Sequence, residues 1–197
     1  MVQEASGWGA LGGGAVYLRG FGFGSDSSFQ NTAEYIGCIL GVVGLVLLGV
    51  RDADIKILGD SIAALTWAET ERARGQLVTN ASMVFTLLSI RFNLDVKKGI
   101  HISGENNWRC DRLSRLEDFA VDRVHKALIA MGMSQTIVVN LQESAQVQTL
   151  LACCDPKRCL GEEEIFLGYW GELRSALNEV ERAVTNSSNT LAFPSTS

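Results

Sequence analysis

AEYIGCILGVVGLVLLGVRDADIKILGDS, residues 33–61, decides the architecture. It reads either as a membrane anchor or as the buried centre of a soluble domain flanked by two acids, Glu34 and Asp60. A helix that crosses the hydrocarbon core needs about 20 apolar residues. The uncharged run from Ile36 to Val50 supplies fifteen, four of them glycine (Gly37, Gly41, Gly44 and Gly49), and Arg51 and Asp52 close it. Gly37 and Gly41 have the small-xxx-small spacing of packed membrane helices, but that spacing equally lets a soluble helix press closely onto a sheet. The length favours a core helix and no membrane partner. Asn31 is placed as its N-cap with Glu34 three residues on, and Gly49 suits its end. DIKIL, 54–58, then alternates and runs into Gly59-Asp60-Ser61, which makes a short strand with an acid at its tip.

Working outward, AVYLRGFGF lies between GALGGG and GSDSS, the punctuation of hairpins, and with QEASGWGAL it predicts two or three antiparallel strands in the first thirty residues. Downstream, SIAALTWAETERAR is a helix broken by Gly75, and TNASMVFTLLSIRFNL a helix capped by Thr79 or Asn80. KKGIHIS, 97–103, is a strand, GENN a turn, and WRCDRLSRLEDF returns to helical spacing. The order β, β, β, α, β, α, α, β, α over residues 1–120 predicts a mixed α/β domain with helices packed on a sheet. Residues 121–185 form a mainly helical extension, with HKALIAMGM and EEEIFLGYWGELRSALNEVERAV as helices and IVVNL as a short strand. Residues 186–197 have the composition of a disordered tail.

The chain of 197 residues is 47% hydrophobic and 20% charged, which is globular, and its net charge is -5. That balance argues against a protein that coats nucleic acid by bulk charge. It leaves room for an enzyme that meets nucleic acid through bound cations. Cys38, Cys110, Cys153, Cys154 and Cys159 are an odd set, and MVQEASGWG has neither the basic nor the apolar part of a secretory signal, so the expected setting is intracellular, cytoplasm or nucleus. A zinc site at Cys153, Cys154 and Cys159 matches no ligand spacing and has no histidine nearby.

Four acids recur at element ends: Glu4 on the first strand, Glu34 near the start of the first helix, Asp60 at a strand tip and Asp111 on the last helix of the unit. Carboxylates gathered at one end of a sheet repel unless cations lie between them, and two Mg²⁺ ions (or Mn²⁺) are the usual occupants of such an oxygen set. Two metals about 4 Å apart activate a water and stabilise the leaving oxygen of a phosphodiester.

The local phrases ASGWGA, QNTAEY, ILGDS and HISGENNWRCDRLSR together resemble the ribonuclease H domain of retroelement reverse transcriptases, of the long-terminal-repeat and tyrosine-recombinase types. The last phrase is similar to that family's H-I-P-G-x-x-N-x-x-A-D-x-L-S-R. The resemblance covers residues 1 to about 117 and implies a ribonuclease H-like fold: a five-stranded mixed sheet with helices on both faces. It implies a magnesium-dependent endonuclease that cuts the RNA strand of an RNA–DNA hybrid, beside a polymerase domain in a parent polyprotein. On this reading Glu34, Asp60 and Asp111 are the second, third and fourth catalytic and metal-binding acids. Glu4 stands where the family has aspartate, and its extra methylene moves the oxygens by roughly 1 Å, a displacement that can cost about 10²-fold in rate. A catalytically weakened module with a binding role is the alternative.

Around these acids, Ser61, Arg109, Arg112 and Arg115 are candidates for substrate contact. The three arginines recur every third residue, which suits either phosphate contact or a solvated flank paired with Glu117 or Asp118. His101 is read as mainly structural and His125 as a surface residue. Trp67 and Trp108 are read as core residues first and stacking residues second.

Overall fold

The structure is a computed structural model that describes residues 30–70, 78–114, 116, 120–133, 141, 144–155 and 163–188. In chain order the elements are α1 (Gln30–Leu47), β1 (Ala53–Gly59), α2 (Ile62–Thr70), α3 (Thr79–Phe92), β2 (Leu94–His101), α4 (Trp108–Ser114), α5 (Val121–Ala130), α6 (Ala145–Cys153) and α7 (Glu163–Ser188). The expected mixed α/β architecture is present, mostly helical. Among the described residues the sheet has two strands, β1 and β2, paired in parallel. The five-stranded sheet is not reached within them, because the strands expected in the first thirty residues lie outside the described residues, as does all of IVVNL except Leu141.

The decisive stretch folds as a helix and a strand. In α1, Tyr35, Ile36, Ile39, Leu40, Val42, Val43 and Val46 are buried, so half of the helix faces the core. At 18 residues it is longer than the apolar run suggested, and by length and composition alone it could span a bilayer. Asn31 lies within the helix instead of capping it, and Glu34 accepts a hydrogen bond at 2.9 Å from Gln30 Nε2 one turn back. The helix stops where the sequence says it should. Gly49 takes φ +89°, its N–H donates to Val46 O (2.8 Å), and Val50 N–H donates to Leu45 O (3.0 Å). That reciprocal pair is a Schellman closure, which favours glycine because the left-handed region strains other residues.

Among the described residues two non-glycines also adopt left-handed backbone, Asp52 (φ 50°) and Asn93 (φ 49°), each immediately before a strand. Asn93 Nδ2 donates to Asp52 Oδ1 at 2.8 Å, while Asp52 N–H and Ala53 N–H donate to Phe92 O and Asn93 O. Asp and Asn tolerate this conformation best among residues with side chains. The clasp starts both strands at one level. It also explains why β2 begins at Leu94, three residues before the expected strand: Asn93 ends α3 abruptly and the chain enters the sheet at once. Helix α3 is not capped by Thr79 or Asn80. Its N-cap is Val78, and Asn80, buried in the first turn, donates through Nδ2 to Asp155 O at 2.6 Å.

Parallel strands need a long crossover, supplied here by α2 and α3. Ile55, Leu94 and Val96 are buried beneath α1, α2 and α3, whereas Asp54, Lys56, Leu58, Asp95 and Lys97 are exposed, the alternation of a sheet packed on one face. Tyr35 meets Trp67 and Phe85 edge-on, each at 5.8 Å between ring centroids, and joins α1 to α2 and α3. Trp67 is therefore a core residue.

The C-terminal helices share this core. Val147, Leu150, Leu151, Tyr169, Leu173 and Val180 pack in the same cluster as the α1 residues. Tyr169 Oη donates to Cys153 O at 3.0 Å between α6 and α7. On the surface, Glu181 of α7 pairs with Arg91 of α3 and, at 3.7 Å, with Arg51, while Asn178 accepts from Arg91 at 3.0 Å. Helix α7 runs on through Ser188, so Asn186 to Ser188 belong to it and not to a disordered tail. A separate small cluster of Leu113, Val124, Leu128 and Met131 joins α4 to α5. Of the expected helix over 108–119 the described part is Trp108–Ser114; Leu116 lies outside it, its N–H donating to Leu113 O as its side chain joins this cluster.

Helix α2 presses closely on the sheet at Gly99. A Cβ there would lie 2.9 Å from Leu65 Cβ and 3.0 Å from Leu65 O, against backbone that cannot swing aside. Gly99→Ala is expected to destabilise the fold by about 1–3 kcal/mol, the usual cost of overpacking. A lowered urea midpoint with unchanged slope would show it, and an unchanged midpoint would contradict the close packing.

Candidate functional site

The chemistry gathers where the parallel strands end. Gly59 pairs with His101 in register, and Ile102 N–H donates to Gly59 O at 2.9 Å, so both chains leave the sheet at the same level. Asp60 follows directly and is exposed. Ser61 then starts α2: its Oγ accepts from Ala64 N–H at 3.3 Å and its carbonyl accepts from Leu65 N–H at 3.1 Å. Its hydroxyl therefore serves as a helix cap. From β2 the chain turns through 104–107, where Asn106 and Asn107 N–H both donate to Ser103 O, and Asn107 O accepts from Asp111 N–H at 3.1 Å to open α4.

Helix α4 presents two faces. Cys110 and Leu113 are buried. The Cys110 thiol is raised from its ordinary 9.0 to about 11, chiefly by burial and then by the negative charge of Asp60. Asp60 thus lies within electrostatic reach of Cys110, while Asp111 follows Cys110 on the exposed side of α4. Asp111 itself is exposed and engaged in interactions of its own. Asn107 is buried, with Oδ1 lacking a hydrogen-bond partner. His101 is exposed at the end of β2. His125 is exposed on α5, away from the acids in sequence and on a different element.

Glu34, partly buried on α1, contributes secondarily to raising the Cys38 thiol to about 12, again mainly a burial effect. Tyr35, its neighbour, holds that end of α1 against α2. Glu4 and Arg115 lie outside the described residues. Among the described residues no three His, Cys, Asp or Glu side chains gather closely enough to hold one metal ion. The described donors alone do not make a metal centre. Cys153 and Cys154 are buried free thiols, and burial also raises Cys154 strongly. Cys159 lies outside the described residues.

On α4 the structure corrects the expectation that Trp108 is a core residue first. Trp108 is 42% exposed, and the guanidinium of Arg109 lies over its ring, 4.9 Å from the centroid. The helical period held the signal. Cys110 and Leu113 fix the buried stripe, and a residue two before Cys110 points to the opposite side.

Comparison with protein-family models, with curated proteins and with solved structures gave no match.

The thiols set a pH dependence. An unfolded chain ionises Cys110 near 9.0, whereas the folded protein holds that proton to about 11. Stability from this group is intact below pH 9.0 and falls as pH rises to about 11, because the unfolded state then binds fewer protons. Urea unfolding across this window should show a decline that is shallower in Cys110→Ala. An equally steep decline in the variant would remove Cys110 as its source.

Proposed function

We propose that the chain is a ribonuclease H-type endonuclease domain of retroelement origin that hydrolyses the RNA strand of an RNA–DNA hybrid. The observation that carries the reading is the corner at the carboxyl ends of β1 and β2. There Asp60 leaves the tip of β1 beside the Gly59–His101 pair, and the chain from β2 turns through Asn106 and Asn107 into α4, the helix that carries Asp111. In open α/β sheets this end of the strands is where ligands bind. The phrase HISGENNWRCDRLSR supplies the strand end, the turn and the helix that make the corner.

In this reading Glu4, Glu34, Asp60 and Asp111 would hold two Mg²⁺ ions, or Mn²⁺, all four being hard oxygen donors. When bound, the metals supply an activated water and neutralise the leaving oxygen. The chain's own part is to hold the carboxylates at fixed positions: Asp60 between a strand and the capped start of α2, and Asp111 on a helix anchored by Leu113. Arg109, Arg112 and Arg115 contact phosphates of the substrate. The same proposal includes the finer fold, with residues 1–29 completing a five-stranded sheet. It also includes a reverse transcriptase polymerase domain as partner.

A second reading, a weakened or inactive module that only binds, is favoured by one residue: Glu4 in place of aspartate. A labelled hybrid incubated with Mg²⁺ separates the two. The nuclease reading expects cleavage that falls by at least about 10²-fold in Asp60→Asn, in line with the cost of disturbing a positioned catalytic group. Equal background from both proteins would overturn it. A gain of similar size in Glu4→Asp would identify the present chain as a weakened enzyme.

A further inference from the structure

Trp108 is the half-exposed tryptophan of α4, a helix whose other large apolar side chain, Leu113, is buried to 2% exposure. Tryptophan is highly buried on average, so a ring left 42% in water at the mouth of the strand ends is a marked exception. Its partner is a cation. Arg109 places its guanidinium 4.9 Å from the ring centroid, and its Nε, buried, has no hydrogen-bond acceptor. Neither Arg109 nor Arg112, exposed one turn on, forms an ion pair with a described residue, although the chain carries a net charge of -5. On an acidic protein two arginines that pair with no carboxylate among the described residues, next to an exposed aromatic, form a surface complementary to an anion that also carries a flat apolar ring.

We infer that Trp108 and Arg109, with Arg112, form a stacking platform for an unpaired nucleotide of the substrate strand. The base lies on the Trp108 ring, and the adjoining phosphates lie on the two guanidinium groups. The inference deepens the nuclease reading and rests on it for the choice of nucleic acid as the occupant. Stacking requires a base free of its own helix, so the platform engages a single-stranded segment next to the hybrid and not the paired region. It is sequence-tolerant, because every base offers a π-face, and salt-sensitive, because the arginines displace counterions.

The test uses the full chain without divalent metal, so that binding is read apart from cleavage. Fluorescence anisotropy is measured with a hybrid bearing a single-stranded RNA overhang and with the same hybrid blunt-ended. Trp108→Ala should bind the overhang substrate roughly 5- to 150-fold more weakly, the range for loss of one base–aromatic stack, and the blunt substrate unchanged. Trp108→Phe should retain most of the affinity, and Arg112→Gln should lower the salt slope by about 1. Thermal melts of each variant check that α4 is intact, which the exposure of Trp108 favours. Unchanged overhang binding in Trp108→Ala would overturn the platform, and so would equal weakening toward both substrates, which marks a structural role. A wild-type chain that binds the overhang through Trp108 yet cleaves no hybrid with Mg²⁺ would overturn the nuclease reading and support the platform. A chain that cleaves hybrid while Trp108→Ala binds normally would do the reverse.

Discussion

Everything near the candidate site depends on β1 and β2 running in the same direction. Parallel pairing forces the chain to travel back along the sheet before the second strand can begin, and it brings both carboxyl ends to one edge. The Asp52–Asn93 clasp fixes the other edge, since both residues turn left-handed and bond to each other at the strand starts. With the starts level, the ladder delivers Gly59 opposite His101, and Asp60 emerges beside the turn into α4. The placement of the acid is thus a result of backbone register and not of any contact the carboxylate makes.

Around that pair the apolar surfaces are graded. The centre of α1, the inner face of the sheet and one side of α3 are fully buried, and α6 and α7 close the same cluster from the far side. Burial on this scale is the main source of stability in a domain of this size, at about 25 cal/mol per Å² of apolar surface. The half-exposed pairs between Arg91, Arg51 and Glu181 add little energy and mainly orient α7. Leu113 of α4 belongs to a smaller, separate cluster shared with α5, so this part of the fold is packed more thinly than the main core. Low local packing density is where proteins open first.

The sequence was most legible where a local rule and the global packing agreed. Gly49 ended the first helix as expected, because a left-handed stop needs glycine. DIKIL and GDS gave the strand and its acidic tip, because alternation survives wherever one face of a sheet is buried. Legibility failed where distant contacts overrode local preference. Asn31 looked like a cap but is inside α1, and Thr79 and Asn80 looked like caps while Val78 holds that position, with Asn80 bonded to a carbonyl 75 residues away. The start of β2 was hidden because the apolar spacing of IRFNL, 90–94, continues through Asn93, and only the left-handed turn separates helix from strand. The placement of Asp60 after a strand and of Asp111 on a helix was readable from their phrases. Which side of α4 met water required combining the helical period with the buried stripe.

One irregularity in β2 has a further consequence. The ladder slips between Ile55 and Lys56, so that Ile55 faces Val96 but Lys56 faces Lys98, and Lys97 is the supernumerary residue. A strand has two frames, one for each face, and a single added residue exchanges them. Before the slip the inward residues are Leu94 and Val96; after it the frame brings Gly99 inward, opposite Ile57. An uninterrupted strand would offer Lys98 to Leu65 at that level and turn the glycine outward. The bulge acts as a frameshift written in three dimensions. It lets a strand whose sequence is out of phase with its helix still present the one residue small enough to be approached.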